Sequence, residues 1–320
     1  MRIGIVGLGY WGRKVFREYL ALVNEGLIDT IHLYDAKINL LSDEEFRHAS
    51  VVVHDSYQSL IGNVDAVHIC VPNDFHYEYT TKALEAGVST LVEKPLTKNS
   101  TEAFNLVEKA LENGVVLQVG NIFRFSNSIR AARELIFSGE IGAIHHAYIS
   151  WTHMASSENS RTEDVLWDLG PHIFDIVNFL TGLWPVSVLY SPYTGGNRDR
   201  KLAEADLIIN YMNFIASIRI SLVDHRRTRL VEMAGTNGTI ILDPVVQNLE
   251  IHDSSGVRHI EINRNNTLRD EIINFLDCSR NGRTRVNSGN LGTAIVRELE
   301  QIYGAGKNEA FTGIQQDNGL

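Results

Sequence analysis

The sequence predicts an α/β chain whose first third folds as a doubly wound parallel sheet and whose remainder forms a second, α+β domain. Three observations predict it. Short β-branched runs alternate with helix-period segments as far as residue 120. Several of those runs are apolar throughout, as strands covered on both faces must be. Beyond residue 120 the alternation stops and strand-like segments follow one another. At 320 residues the chain has room for two domains, set by that break at 1–121 and 122–303, with a polar, glycine-containing tail at 304–320.

The strands of the first third are expected at residues 2–7, 31–35, 51–54, 66–72, 89–95 and 115–120. Between the first two, Trp11, Val15, Tyr19, Leu22 and Val23 recur at helical spacing. The segment from His76 stops at Gly87. The next helix has Asn99 as N-cap with Glu102 three residues later, a stripe of Phe104, Val107, Ala110 and Leu111, and Gly114 as its stop. In the second domain a helix is expected over residues 128–142 and two more near 268–278 and 290–303. The rest reads as strands, among them residues 214–224, where Ile218, Ile220 and Leu222 alternate with Ser217, Arg219 and Ser221: one covered face and one polar or partner-facing face.

Composition narrows the function. With 44% hydrophobic and 21% charged residues the chain is neither disordered nor starved of core, and a net charge of -10 speaks against a nucleic-acid partner and against docking on anionic lipid. Cys70 and Cys278 are too far apart for a CxxC pair, and Cys70, inside an apolar run, reads as a buried core thiol. No apolar run approaches the ~20 residues of a membrane helix. The N-terminus enters a strand directly without signal-peptide anatomy, so the expected location is the cytoplasm.

Residues 7–12 read GLGYWG, a GxGxxG motif that ends the first strand and opens the first helix. Gly7 permits the tight turn, Gly9 admits a pyrophosphate to the backbone, and Gly12 lets helix and strand pack. Tyr10 and Trp11 fill the variable positions at the helix N-terminus, whose free N–H groups and dipole favour phosphate. Asp35 ends the second strand where an acid binds the adenosine ribose, and its charge favours NAD over NADP, although Lys37 keeps NADP open. This is the Rossmann arrangement, and it implies a nicotinamide dinucleotide.

Hydride transfer from an alcohol needs a proton acceptor and a group to steady the developing alkoxide. Glu93-Lys94-Pro95 sits at the carboxyl end of the fifth strand, on the crevice edge of the sheet, where Lys94 can reach a substrate oxygen. Residues 168–175 read DLGPHIFD. With Pro171 in a first turn, the helix is expected to start near Asp168 or Leu169, placing Asp168 and His172 one turn apart on one side and Asp175 a turn further, able to orient the imidazole. Either could instead be ordinary: Asp168 an N-cap, His172 a packed helix residue. No catalytic metal is expected: His145 and His146 point to opposite faces of a strand, His153 stands apart, and there is no HExxH.

These motifs together resemble the Gfo/Idh/MocA family of glucose–fructose oxidoreductase and inositol dehydrogenase-like enzymes. The likeness spans GLGYWG, the VPNDFH stretch from Val71, EKPLT from Glu93, VGNIFRF from Val119, DLGPHIFD from Asp168 and AGTNGTI from Ala234. It implies a C-terminal domain with a large open, mostly antiparallel sheet that makes homodimer or homotetramer contacts, a nicotinamide cofactor, and a sugar, cyclitol or nucleotide-sugar substrate. It implies Lys94, Asp168 and His172 as the catalytic set, Pro72, Asn73 and His76 lining the nicotinamide, and Glu93 touching the cofactor. Asn121 and Phe123 depart from the VGHxERF form of some nucleotide-sugar 3-dehydrogenases. Two rival readings use the same fold: an NAD-recycling glycosidase or isomerase, and a cofactor-binding regulator without turnover. Substrate choice is expected from the loop at residues 152–164.

Overall fold

A computed structural model describes residues 1–37, 44–154, 164–193, 203–283 and 286–308. Six parallel strands form the first sheet: β1 (Arg2–Val6), β2 (Thr30–Tyr34), β3 (Val51–Val53), β4 (Ala66–Ile69), β5 (Ser89–Val92) and β6 (Leu117–Val119). Their order is β3-β2-β1-β4-β5-β6, so the topological switch lies between β1 and β4. The crossover helices are α1 (Tyr10–Asn24), α2 (Tyr57–Ile61), α3 (His76–Glu85) and α4 (Ser100–Glu112).

The structure moves the apolar face of α4. Phe104 and Leu111, expected in the buried stripe, are 55% and 82% exposed, while Ala103, Leu106 and Ala110 are buried. The helix packs against both α3 and the late helix Gly289–Asn308, and its buried positions are two small alanines and one leucine. Residue bulk alone does not tell which of two adjacent apolar faces turns inward. The N-cap is as expected, with Asn99 accepting from the Glu102 N–H at 3.0 Å.

After α5 (Asn127–Phe137), the second sheet is built from β7 (Ile144–Met154), β8 (Ser187–Tyr193), β9 (Glu204–Asn210), β10 (Ile215–Ser221), β11 (Val223–Gly235), β12 (Gly238–Asp243), β13 (Asn248–Asp253) and β14 (Gly256–His259). Its order is β14-β13-β12-β11-β7-β10-β9-β8, and every neighbouring pair is antiparallel except β10 with β7. One face is covered by α6 (Val165–Thr181), whose Leu166, Ile173 and Phe174 meet Leu207, Ile218 and Ile220. The other is open, with Leu189, Ile208, Ser217 and Tyr148 in register across four strands.

Two late helices return to the first domain. In α7 (Thr267–Asn281), Leu268, Ile272, Phe275 and Leu276 share a core with Ile3, Ile5, Phe16 and Tyr19. Arg269 bonds Glu25 and Arg280 bonds the Leu27 carbonyl. The helix α8 (Gly289–Asn308) lies against α4 and β6, and Gly289 and Gly292 allow the approach, since a Cβ on either would stand 2.8 or 2.6 Å from Leu117 or Val119. The expected boundary at residue 121 puts both helices with the second domain; α7 packs into the core of the first, while α8 lies between α4 and β6 of the first and α6 and β8 of the second. The helix α8 also runs past Gly304, where the tail is expected to begin. Residues 309–320 lie outside the described residues.

Candidate active site

A cleft of about 520 Å³ opens between the carboxyl edge of the first sheet and the second sheet, in the size range of small-molecule sites. On the first-sheet side the glycine turn suits a dinucleotide. Gly7 has φ +89°, and a Cβ there would stand 2.8 Å from the Cys70 carbonyl. A Cβ on Gly12 would overlap the Gly7 oxygen, whereas Gly9 faces open space, the cradle a phosphate would enter. Gly9 caps α1 with no side-chain bond, and no acid lies in the first turn, so the helix N-terminus is left for an anion. Asp35, just after β2, accepts from the Leu8 N–H at 2.6 Å and the Lys37 N–H at 2.7 Å, tying its carboxylate to the same turn.

The other expected cofactor residues divide. Asn73 lines the cleft, and its buried Nδ2 has no partner, a donor free for a cofactor or substrate oxygen. Pro72 is exposed at the start of the same short turn. The Trp11 indole N–H donates to Glu93 at 2.5 Å, and both line the cleft, while Tyr10 is exposed beneath the Lys14 ammonium. His76 does not line it. It is fully buried, and its ring nitrogens lie 2.7 Å from the Pro95 carbonyl and 2.9 Å from that of Val71. It therefore ties the Lys94-Pro95 turn, whose peptide is cis, to the end of β4. This corrects the expectation of a direct nicotinamide contact. Burial lowers the affinity of His76 for a proton, although both carbonyls pull the other way.

Lys94, Asp168 and His172 all line the cleft. Lys94 Nζ donates to both the Asp168 carboxylate and the Asp168 backbone oxygen, each at 2.8 Å. Burial alone would raise the Asp168 carboxyl. The charge and hydrogen bond of Lys94, with smaller contributions from His172 and His153, outweigh it and hold the group below its ordinary value. His172 stands edge-on to Phe123 at 5.2 Å and stacked beside Trp151 at 6.0 Å. Burial first, then the Lys94 charge, pushes it well below the usual imidazole value, so it is neutral at physiological pH and able to accept a proton.

The structure corrects the start of this helix. Asp164 is the N-cap, accepting from the Leu166 N–H at 2.9 Å, so α6 begins a turn earlier than expected and Pro171 lies inside it. Asp168 is thus not a cap. Asp175 does not orient the imidazole either: it pairs with Arg124 Nε at 2.5 Å, in the short turn Ile122–Phe125. Residues 155–163, most of the expected specificity loop, lie outside the described residues.

Behind the cleft floor is a buried polar layer. His68 Nε2 is 3.2 Å from Glu93, and the His68, Cys70 and Glu93 ligand atoms lie within 4.8 Å of one another. Cys70 packs against the core of the first domain, as expected, but is only partly buried and also lines the cleft. Burial and then Glu93 hold it well above the ordinary thiol value, so it stays protonated and is a poor nucleophile or metal ligand. Glu271 of α7 is fully buried, with one oxygen 2.8 Å from the Asn287 amide and the other unpartnered. Burial and the nearby Glu93 charge raise it well above the ordinary carboxyl value. An acid so raised binds more protons folded than unfolded, so stability falls as pH rises above its unfolded value. Glu271→Gln removes that loss, and its melting temperature relative to the parent should rise between pH 5 and pH 8. The extra amide donor costs the same at both pH values, so an offset that does not change with pH refutes the buried, protonated carboxyl.

Sequence reasoning missed Trp151, His153, Arg227 and Arg229 as cleft residues. Trp151 and His153 carry no signal beyond that of a strand. The two arginines fall in the run HRRTR, residues 225–229, unusually basic for a chain of net charge -10.

A parallel sheet with a glycine-turn anion cradle, facing a lysine–aspartate pair and a neutral histidine across one cleft, defines a nicotinamide-dependent oxidoreductase. The chain belongs to the Gfo/Idh/MocA family. Residues 1–121 match its model described as "Oxidoreductase family, NAD-binding Rossmann fold", and residues 129–241 match the GFO/IDH/MocA C-terminal domain. It is similar to a UDP-N-acetylglucosamine 3-dehydrogenase from Acidithiobacillus ferrooxidans, 25% identical over 94% of this chain and 96% of the relative. A solved structure of that protein superposes with a TM-score of 0.82 over 95% of this chain and 97% of the other, at 25% identity. It is also similar to an inositol 2-dehydrogenase from Corynebacterium glutamicum, 30% identical over 65% of this chain and 63% of the relative. A third similar protein is the scyllo-inositol 2-dehydrogenase (NADP(+)) of Bacillus subtilis, 28% identical over 57% and 52%. Among the described residues no helix is long and apolar enough to cross a membrane.

Proposed function

We propose that the protein oxidises a secondary hydroxyl on a sugar, cyclitol or nucleotide-sugar ring, with NAD preferred to NADP. The observation that carries this reading is the convergence of Lys94, Asp168 and His172 on the cleft opposite the glycine turn. The bound nicotinamide supplies the hydride acceptor. Gly7, Gly9 and Gly12 shape its pyrophosphate seat, Asp35 holds the adenosine ribose, and Asn73, Trp11 and Glu93 border the nicotinamide end. Lys94 donates to the substrate oxygen and stabilises the charge that develops as its proton leaves. His172, neutral and enclosed by two aromatic rings, takes that proton on its unprotonated ring nitrogen. Asp168, ionised beside Lys94, orients the ammonium and accepts from a neighbouring substrate hydroxyl.

The Asp35 carboxylate, fixed at the turn by two backbone N–H groups, supports NAD because it would repel a 2′-phosphate. The in-register apolar row of Leu189, Ile208 and Tyr148 on the open sheet face supports a homodimer or homotetramer. The cytoplasm is the proposed location. Reduced-nicotinamide absorbance is measured with NAD and with NADP across sugars, cyclitols and UDP-sugars. Turnover with NAD and one substrate class is expected. Silence across the panel from a protein that carries tightly bound NAD overturns the dehydrogenase and favours a redox-recycling hydrolase.

A further inference from the structure

The protein carries a net charge of -10, yet its cleft is lined by Lys14, Lys94, Arg227 and Arg229 against only Glu93 and Asp168. Asp168 is paired with Lys94, and one Glu93 oxygen takes the Trp11 indole and faces His68, so four cations stand against two carboxylates. The surplus is therefore cationic and lies on the second-sheet side. Arg229 stacks over Trp151 at 4.9 Å, and Trp151 in turn stacks beside His172, so one ring separates the guanidinium from the proposed base. Its Nη1 donates to the Thr152 and Thr228 carbonyls at 2.8 and 2.7 Å, and its Nη2 meets His153 Nδ1 at 3.2 Å. A guanidinium has five N–H groups, so those three contacts fix its plane and leave two donors over. Asp243 also attracts it, but one Asp243 oxygen is taken by the Val245 and Val246 N–H groups. Among the described residues neither Arg227 nor Arg229 is ion-paired. Burial, then the like charge of Arg227, outweighs the attraction of Asp243 and Asp168 and pulls Arg229 down to about 10.

We infer that Arg229, with Arg227 at the rim, forms a subsite for an anionic oxygen group on the substrate, so that the hydroxyl oxidised belongs to an acidic sugar: a phosphorylated or nucleotide sugar, or a sugar acid. The inference rests on the dehydrogenase reading for the identity of the site, but the subsite can be tested without turnover. A locally positive cleft in an acidic protein concentrates anions against the general repulsion of its surface. The planar fork of an arginine matches a phosphate or carboxylate better than a neutral hydroxyl. The anion seat proposed for the cofactor is the N-terminus of α1, whose first residue, Tyr10, feels the Arg227 charge, so the test must tell cofactor from substrate.

The test is calorimetric binding to NADH-loaded protein of UDP-glucose, glucose 6-phosphate, glucuronate and glucose, beside the activity panel. At least one acidic sugar is expected to bind more than about tenfold tighter than glucose, the scale of one charge-assisted hydrogen bond. Which one binds tells phosphate, diphosphate and carboxylate apart. Arg229→Gln and the surface change Arg227→Gln are each expected to remove most of that preference, with NADH affinity unchanged. Equal or absent binding of the acidic sugars overturns the subsite, as does a preference that survives both substitutions. A loss of NADH affinity instead of sugar affinity reassigns the arginines to the cofactor. Tight, arginine-dependent binding without nicotinamide reduction leaves the subsite standing and sinks the dehydrogenase.

Discussion

Lys94→Met lowers kcat by on the order of 10²–10⁴-fold, the loss expected when the group that steadies the developing alkoxide is removed. The KM for NAD is expected to stay near the parent value, because the proposed dinucleotide seat, the glycine turn and Asp35, does not include it. Melting temperature falls only slightly. The carboxylate it leaves behind, Asp168, keeps 31% of its side-chain surface exposed, so water replaces the lost partner. The same change has a second signature. The Lys94 charge depresses both Asp168 and His172. Removing it moves both back up, so the acid limb of the residual activity shifts to higher pH. A merely structural lysine would move the melting temperature and leave the pH profile alone. Lys94→Arg does not rescue, since a planar fork cannot reproduce a single ammonium shared between a carbonyl and a carboxylate. Unchanged turnover in Lys94→Met removes this lysine from the mechanism.

What the sequence made legible follows from the range of the interactions. The glycine turn could be read in full because its requirements are local: a positive φ at Gly7 and no room for a Cβ at Gly12 are properties of six consecutive residues. Lys94 and Asp168 could each be singled out, but their bond spans 74 positions, and no spacing rule predicts it. Asp175 went wrong for the same reason. Helical periodicity offers only neighbours on its own helix, such as His172, whereas its partner Arg124 comes from a turn 51 residues upstream. Family likeness places His76 at the cofactor. The structure shows it one layer deeper, holding the backbone that carries Lys94. Arg227 and Arg229 were invisible as site residues because a polar face on an alternating strand reads the same whether it meets solvent, a subunit or a substrate.

Asp175→Asn should be the most destabilising single change in the site region, costing about 3–5 kcal/mol as a broken buried ion pair. Arg124 would remain with only 12% of its side chain exposed and no counter-charge. Its Nη2 keeps Asn178 at 2.8 Å and its face keeps Phe179, but neither carries a negative charge. The cost depends on pH. Burial pushes Asp175 up to about 6 against the opposing pull of Arg124, so the folded state binds a proton there that the unfolded chain has released. Stability from this group is greatest in acid and is lost as pH rises through that value. Asparagine, which cannot ionise, lacks that loss, so it falls furthest short of the parent at pH 5 and recovers part of the deficit at pH 7. Denaturant melts at the two pH values measure the difference, and a deficit independent of pH would mean the pair is not titrating. Replacing both partners, Arg124→Met with Asp175→Leu, should recover much of the stability, because two apolar groups leave no charge buried. Activity should not recover with it. The pair clamps α6 to the turn Ile122–Phe125, and Phe123 of that turn is one of the two rings that set the His172 plane. A double variant that melts like the parent but turns over more slowly would separate the two contributions of one ion pair: holding the helix, and aiming the base.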